Sequence, residues 1–172
     1  KRPPPRCRHG FTSAGSVVFQ SNGIYGLKQE GCKDTDLVLI HDSVRPLLGQ
    51  DIISSNIAIC KAYGYAITGI KCREAILESE DGFSTSVSIP RDKLIRTQTP
   101  QTFCLGNIIN IHEEAKQKGI VDSVASCTLI AEVGGYEMHI VPGSEKNIKI
   151  TTVEDLEILK ALMHTSKDEW LK

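Results

Sequence analysis

No apolar run in this sequence approaches the ~20 residues that a membrane-spanning helix needs, and the basic first nine residues are not followed by a hydrophobic stretch. Its six cysteines form no CxxC pair and no paired Cys/His spacing typical of zinc sites. Cys60 and Cys127 lie in apolar, helix-like contexts. We therefore expect reduced, buried thiols in a cytoplasmic protein that has no membrane partner.

The sequence also has little excess charge. Lys and Arg number 20 and Asp and Glu number 21 among 172 residues, and four of the basic residues lie within residues 1–9, so the rest is mildly acidic. Nucleic-acid binding requires a basic face, and we expect no nucleic-acid partner. We expect residues 1–12 to be a basic, proline-rich tail. Residues 13–172, long enough to bury a core, form one domain.

Apolar runs and helical patterns alternate along the chain, which favours an α/β fold. The run 36–40 lacks polar alternation, which predicts a strand buried on both faces of a parallel sheet. The amphipathic segment 51–63 predicts a helix that ends at Gly64, and 65–72 predicts a second strand. Strand, helix and strand in this order predict a right-handed βαβ unit.

Further patterns complete the expected secondary structure. Helices are predicted over 21–29, 106–118 and 123–133, strands over 138–141 and 147–151, and a last helix from Thr152, which is capped reciprocally with Asp155. Asp81-Gly82 is a hairpin turn signal between two short β-rich runs. It predicts a β-arm over about 75–90 that projects from the sheet.

The segment HDSVRP, residues 41–46, is the first of three that suit phosphate chemistry. It follows the first strand directly, where open α/β sheets bind ligands. Asp42 is a candidate ligand for a divalent metal, and Arg45 carries a planar fork that suits phosphate. The alternative is an ordinary loop in which Asp42 caps a turn.

The other two segments each contribute a cation. Arg91 follows a proline in a loop from which it can reach a phosphate, or it is a solvated surface residue. Strand alternation places Lys149 on one face with Asn147 and Thr151, as a phosphate ligand or as an edge-strand charge. The histidines have no spacing to a nucleophile and are expected to be structural or solvent-facing; those considered are His41, His112, His139 and His164.

Together, HDSVRP, RDKLIRTQTPQTF and NIKITTVEDL resemble the CTP-dependent polyol-phosphate cytidylyltransferases, from about residue 21 to residue 163. This family comprises 2-C-methyl-D-erythritol 4-phosphate and ribitol-5-phosphate cytidylyltransferases. The resemblance implies a Rossmann-like nucleotidyltransferase fold, three α/β/α layers around a mostly parallel sheet with a projecting β-arm. It also implies transfer of CMP from CTP to a polyol phosphate, Mg²⁺ as cofactor, and a homodimer formed through the β-arm.

The resemblance also implies roles for five residues. Asp42 and Arg45 match the HD-x-x-R-P motif that lines the polyol-phosphate site. Arg91 matches an arginine that contacts the substrate phosphate across the dimer interface, and Lys149 matches a further phosphate contact. Ser21 matches a serine that contacts the cytidine. We therefore expect Asp42, Arg91 and Lys149 to be catalytic, and Arg45, Arg91, Lys149 and Ser21 to bind substrate.

One family feature has no counterpart here. The glycine-rich loop that holds the CTP triphosphate would precede Ser21, so the first strand, loop and helix of the fold are expected to be missing. We interpret the chain as a truncated enzyme that uses 2-C-methyl-D-erythritol 4-phosphate. Ribitol 5-phosphate is the alternative substrate, because Ser43-Val44 resembles that branch. A non-catalytic dimerising relative that lacks the CTP loop is the alternative of another class.

Overall fold

The computed structural model describes residues 17–164, so the predicted tail 1–12 lies outside the described residues. The helices are α1 Val17–Gln29, α2 Gln50–Tyr63, α3 Leu105–Gln117, α4 Ser126–Val133 and α5 Val153–His164. The strands are β1 Leu37–Ile40, β2 Tyr65–Lys71, β3 Ile76–Glu78, β4 Val87–Ile89, β5 Ile95–Cys104 and β6 His139–Pro142. A membrane crossing would need a longer and more apolar helix than any in the described range.

Four strands form one sheet in the order β1-β5-β2-β6. β5 runs antiparallel to both β1 and β2, and only β2 and β6 pair in parallel. The prediction of a mostly parallel sheet is therefore wrong. β1 and β2 point the same way, but they do not pair directly because β5 inserts between them.

β1 lies at an edge of the described sheet and pairs with β5 alone. Its residues are half-buried or exposed, and Leu39 retains 36% of its accessible surface. The expectation that residues 36–40 are buried on both faces is therefore wrong. An unbroken apolar run also fits a strand that is covered along only part of its length.

Helices cover both faces of the sheet, which confirms the predicted three-layer arrangement. Successive residues of a strand face opposite sides. Ala66 of β2 packs with Cys60 of α2 and Val141 of β6. The next residue, Ile67, packs into the larger core on the other face. That core is formed mainly by α1, α3 and α4, with Ile24, Phe103, Leu105, Ile108, Ile111, Leu129 and Ile130 buried.

The predicted end of α2 and start of α5 are confirmed, whereas α1 begins four residues earlier and α4 three residues later than predicted. Gly64 adopts φ +86°, a left-handed conformation that favours glycine, and its N–H donates to the Cys60 carbonyl oxygen at 2.7 Å. At the start of α5, the Asp155 N–H donates to Thr152 Oγ1 at 3.2 Å and the Thr152 N–H donates to Asp155 Oδ2 at 2.9 Å. This is the reciprocal capping expected from the sequence.

The predicted β-arm is a separate two-stranded hairpin in which β3 and β4 pair antiparallel. Its turn is organised by Asp81, which accepts hydrogen bonds from the N–H groups of Ser84 and Phe83 and from nearby hydroxyls. These bonds hold the pKa of Asp81 well below its usual range. Phe83 at the tip is 97% exposed.

Candidate functional site

The site is built around a bulge in β5. In the backbone register β2 pairs with Gln98 and then with Gln101, so Thr99 and Pro100 are skipped. The Pro100 carbonyl oxygen accepts instead a hydrogen bond from the Thr68 hydroxyl at 2.6 Å. Proline has no N–H to donate, and inside a sheet it is tolerated at such bulges. The Thr99 hydroxyl accepts a hydrogen bond from the Asp42 N–H at 2.9 Å. The bulge therefore fixes the loop that follows β1.

His41 joins the two ends of this loop. Its Nδ1 lies 2.9 Å from Thr99 Oγ1, and its Nε2 lies 3.0 Å from the carbonyl oxygen of Arg45. Thr99 Oγ1 already accepts the Asp42 N–H, so its own proton is free to be donated to Nδ1, and Nε2–H then donates to the carbonyl. His41 thus has a structural role, as predicted.

Asp42, Arg45 and Lys149 converge at one point. Asp42 Oδ2 lies 3.0 Å from Arg45 Nε and 3.6 Å from Lys149 Nζ. Two cations and one carboxylate leave a net positive charge, which suits an anionic ligand. The structure therefore brings together three of the five predicted site residues.

The two cations differ in what they can contact. The Arg45 side chain is 11% exposed, and two of its nitrogens are engaged within the protein, Nε by Asp42 and Nη1 by the Asn147 carbonyl oxygen at 2.7 Å. The Lys149 side chain is 48% exposed. Lys149 is therefore the more accessible cation, whereas the fork of Arg45 is used largely to hold the site together.

The segment that carries Lys149 is irregular, so the predicted strand over 147–151 is wrong. Its backbone bonds are not those of a strand, since the Ile150 N–H donates to the Val44 carbonyl oxygen at 2.9 Å and the Asn147 N–H to the Ser144 carbonyl oxygen at 3.0 Å. Asn147, expected on an exposed face with Lys149, is fully buried, and its Nδ2 donates to the Thr99 carbonyl oxygen at 2.8 Å. Hydrogen bonding to the bulge, which a period-two pattern does not register, explains this burial.

Thr99 and Asn147 stand in segments that the sequence singled out, but their part in holding the site together, like that of Gln98, was not predicted. All three are at most 9% exposed. Buried polar side chains need hydrogen-bond partners, so polar residues beside a proline in a strand are a signal that could have found two of them. Asn147 has no such local signal, because its partners lie on β5.

Arg91 and Ser21 lie apart from this cluster. Arg91 begins a short 3₁₀ helix where a loop was expected, and its Nη1 donates to the Arg73 carbonyl oxygen at 2.8 Å. It lines a cleft of about 720 Å³ that also contains Lys71 and Glu145. Ser21 is half-buried on α1, which packs on α3 and α4. The roles predicted for Arg91 and Ser21 stay predictions.

The residues present do not fit a resident metal at Asp42. Its Oδ2 already faces both cations, so a divalent ion would meet a neutralised carboxylate with like charges beside it. Within residues 17–164 no three His, Cys, Asp or Glu side chains come together as a metal-binding group. Mg²⁺ most often binds through one or two carboxylates together with substrate phosphates, and Asp42, already paired with two cations, does not form such a site by itself.

Loops that follow the carboxyl ends of β1 and β6 carry this cluster, and these strands point the same way. That arrangement defines an α/β protein with a positively charged cluster at the strand ends, where open α/β sheets bind their ligands. A family model described as IspD, 2-C-methyl-D-erythritol 4-phosphate cytidylyltransferase, matches residues 10–165, and the chain belongs to this family of nucleotidyltransferases.

Relatives of this chain carry the names of two enzymes, which differ in the polyol phosphate that they use. Ribitol-5-phosphate cytidylyltransferase of Streptococcus agalactiae is 35% identical over 158 residues, which is 91% of this chain and 66% of the relative. 2-C-methyl-D-erythritol 4-phosphate cytidylyltransferase of Clostridium acetobutylicum is 37% identical over 151 residues, which is 87% of this chain and 64% of the relative. The chain thus spans about two thirds of the length of these relatives.

Solved structures agree on the fold. The Francisella tularensis 2-C-methyl-D-erythritol 4-phosphate cytidylyltransferase superposes with a TM-score of 0.75 at 24% identity, covering 83% of this chain and 65% of that one. The Thermus thermophilus enzyme of the same name gives a TM-score of 0.71 at 23% identity and covers 94% of this chain and 77% of that one.

Proposed function

We propose that the protein transfers CMP from CTP to the phosphate of a polyol phosphate and releases pyrophosphate. The observation that carries this proposal is the convergence of Asp42, Arg45 and Lys149 at the strand ends of an IspD-family chain. Family membership alone supports the reaction class, and the cluster supports a phosphate-binding point within it.

In this reaction a phosphate oxygen of the acceptor attacks the α-phosphorus of CTP. The bond from that phosphorus to the bridging oxygen breaks, and the electron pair leaves with pyrophosphate. Such transfers depend on positioning and on cations placed where negative charge gathers. Lys149 is accessible enough to bind the acceptor phosphate, whereas Arg45 and Asp42 hold Lys149 in place. Mg²⁺ would arrive with the triphosphate and neutralise part of its charge.

The acceptor we propose is 2-C-methyl-D-erythritol 4-phosphate, the compound in the name of the family model. Ribitol 5-phosphate is the second candidate, supported by Ser43-Val44 and by the Streptococcus relative. The test is pyrophosphate release by the full-length protein with CTP, Mg²⁺ and each acceptor in turn. The proposal expects kcat/KM to be much higher for the methylerythritol phosphate; preference for ribitol phosphate would move the protein to the other branch.

We further propose a homodimer formed through the β3–β4 hairpin, with Arg91 of one copy serving the site of the other. Exposed apolar residues on this hairpin support an interface, Leu77 at 58% and Phe83 at 97% exposure. Phe83→Ser should shift the protein towards monomer in sedimentation experiments, with the exposed Val124→Ser, outside the hairpin, as the matched control.

A non-catalytic dimerising relative remains the alternative of another class. It predicts that neither acceptor stimulates pyrophosphate release, although the dimer forms. The reading frame upstream of Lys1 separates the two functions. A glycine-rich loop with basic residues encoded there supports the enzyme, because the triphosphate then has its cradle.

A further inference from the structure

We propose that Gln98 is a positioning residue that holds Lys149 and Arg45 in place for the acceptor phosphate. This inference rests on the proposed function. Gln98 lies on β5 just before the bulge and is 6% exposed. Its side-chain hydrogen bonds within residues 17–164 go to the segment 143–150 rather than to Asp42 or either cation, so its effect must pass through that segment.

Both ends of the Gln98 amide bind that segment. Nε2 donates to the Ser144 carbonyl oxygen at 2.9 Å and to the Asn147 carbonyl oxygen at 3.4 Å. Oε1 accepts from the Ser144 N–H at 3.3 Å and from Asn147 Nδ2 at 3.4 Å. One side chain therefore fixes the segment at two points from both its donor and its acceptor ends.

Gly143 shows how closely the segment approaches Gln98. A Cβ built at Gly143 would lie 2.3 Å from Gln98 Oε1 and 2.9 Å from Thr68 Cγ2, distances that real Cβ atoms do not adopt. The Gly143 N–H also donates to the Gly69 carbonyl oxygen at 3.0 Å. Glycine at 143 thus permits the contact that places Ser144 and Asn147 on the Gln98 amide.

Asn147 connects Gln98 to the charged cluster. Its carbonyl oxygen accepts from Arg45 Nη1 at 2.7 Å as well as from Gln98 Nε2. Lys149 follows two residues later, with its Nζ 3.6 Å from Asp42 Oδ2. Without the Gln98 amide, the segment would keep the bond from Asn147 Nδ2 to the Thr99 carbonyl oxygen at 2.8 Å, but it would lose the contacts that hold Ser144 and the Asn147 carbonyl oxygen to Gln98.

The test compares two glutamines of the same strand in the full-length protein. Gln98→Met approximately keeps the side-chain volume and removes the hydrogen bonds of the amide, and Gln98→Glu keeps the acceptor oxygen but removes the amide N–H donors. Gln101→Met is the matched control, because Gln101 is 3% exposed on β5 and holds α4 through the Cys127 N–H at 3.0 Å. Steady-state KM for CTP and for the acceptor, kcat and the melting temperature are measured for each.

We expect both Gln98 variants to raise the acceptor KM about tenfold while the KM for CTP changes little, as loss of one charge-assisted contact would give. Gln101→Met should lower the melting temperature by a similar amount and leave the acceptor KM unchanged. In the Lys149→Ala background, Gln98→Met should raise the acceptor KM by less than a further factor of about two, because both substitutions disrupt the same interaction with the phosphate. Gln101→Met should have the same effect in this background as in the wild type.

The outcomes separate the two proposals. If Lys149→Ala raises the acceptor KM but Gln98→Met and Gln98→Glu behave as Gln101→Met does, Gln98 is only structural and the inference is overturned. Full additivity of Gln98→Met with Lys149→Ala would overturn it as well. If Lys149→Ala leaves the acceptor KM unchanged, the phosphate site itself is misassigned and the proposed function loses its supporting observation.

Discussion

Arg45 Nη1 donates to the carbonyl oxygen of Asn147 at 2.7 Å, although 102 residues separate the two along the chain. The same guanidinium contacts Asp42 through Nε at 3.0 Å. Arg45 therefore joins the loop after β1 to the segment after β6. This contact brings Lys149 beside Asp42 and joins two distant parts of the sequence at the proposed phosphate site.

Asp42→Asn should lower kcat/KM of the full-length protein by about 10- to 100-fold, from the ~1.5–3 kcal/mol that hydrogen bonds to charged groups contribute. The substitution keeps the shape but leaves Arg45 and Lys149 without their counter-charge. Steady-state kinetics and a melting curve measure the effect and check the fold. Asp51→Asn, an exposed carboxylate on the first turn of α2, is the control. Turnover near the wild-type value would remove Asp42 from the site.

Arg91→Ala should raise the KM for the acceptor more than the KM for CTP, because a guanidinium contact to phosphate is lost. In one protomer Arg91 contacts Arg73 rather than the Asp42 cluster, so we expect it to act on the partner's site. Mixing Arg91→Ala with Lys149→Ala protein should then restore up to about a quarter of wild-type activity after random subunit exchange. If mixtures stay as inactive as the separate variants, Arg91 and Lys149 serve the same protomer.

His112 should make the protein less stable in mild acid. Burial lowers the pKa of His112, partly offset by Glu113, and Nε2 is buried without a hydrogen-bond partner in the described part of the chain. The unfolded state therefore takes up the proton first, and the free energy of unfolding falls as the pH drops below the ordinary histidine pKa of about 6.5.

Urea denaturation at about pH 7.5 and about pH 5.5 measures this effect. The decrease in unfolding free energy should be larger for the wild type than for His112→Leu, which has nothing to protonate at this position. Equal decreases in both proteins would show that His112 is protonated without cost in the fold.

β1 should make the 172-residue chain associate in solution. It pairs only with β5 in the described sheet, and Leu39 is 36% exposed on it. An open, apolar strand edge is a template for pairing with another chain. Sedimentation velocity should show association that grows with concentration and that Leu39→Lys reduces. The Phe83→Ser variant serves as a control that distinguishes association through β1 from association through the hairpin. An unchanged distribution of sedimentation coefficients for Leu39→Lys would contradict association through β1.

Local signals predicted much of this fold. Apolar spacing with a terminal glycine located α2 and its end at Gly64, and the Thr152 and Asp155 pair located the start of α5. These features depend on residues close in sequence. The position of β5 between β1 and β2 depends on pairing between distant segments, which no local pattern contains.

The candidate site was also predicted only in part, namely where its residues stand in local motifs. Asp42, Arg45 and Lys149 stand in recognisable motifs, and the structure brings them together. The roles of Gln98 and Asn147 were missed because they come from the β5 bulge and from hydrogen bonds to backbone groups far away in sequence. Alternation placed Asn147 at the surface, but a buried amide with partners on β5 overrides that pattern.

The most direct test of the proposed reaction is ³¹P NMR of the full-length protein incubated with CTP, Mg²⁺ and a polyol phosphate. The proposal predicts two coupled phosphorus signals from a new CDP-polyol diester, pyrophosphate in equal amount, and a much slower appearance of both when Lys149→Ala replaces the wild type at the same acceptor concentration. Unchanged CTP with both acceptors, or release of orthophosphate without a coupled diester, would contradict it.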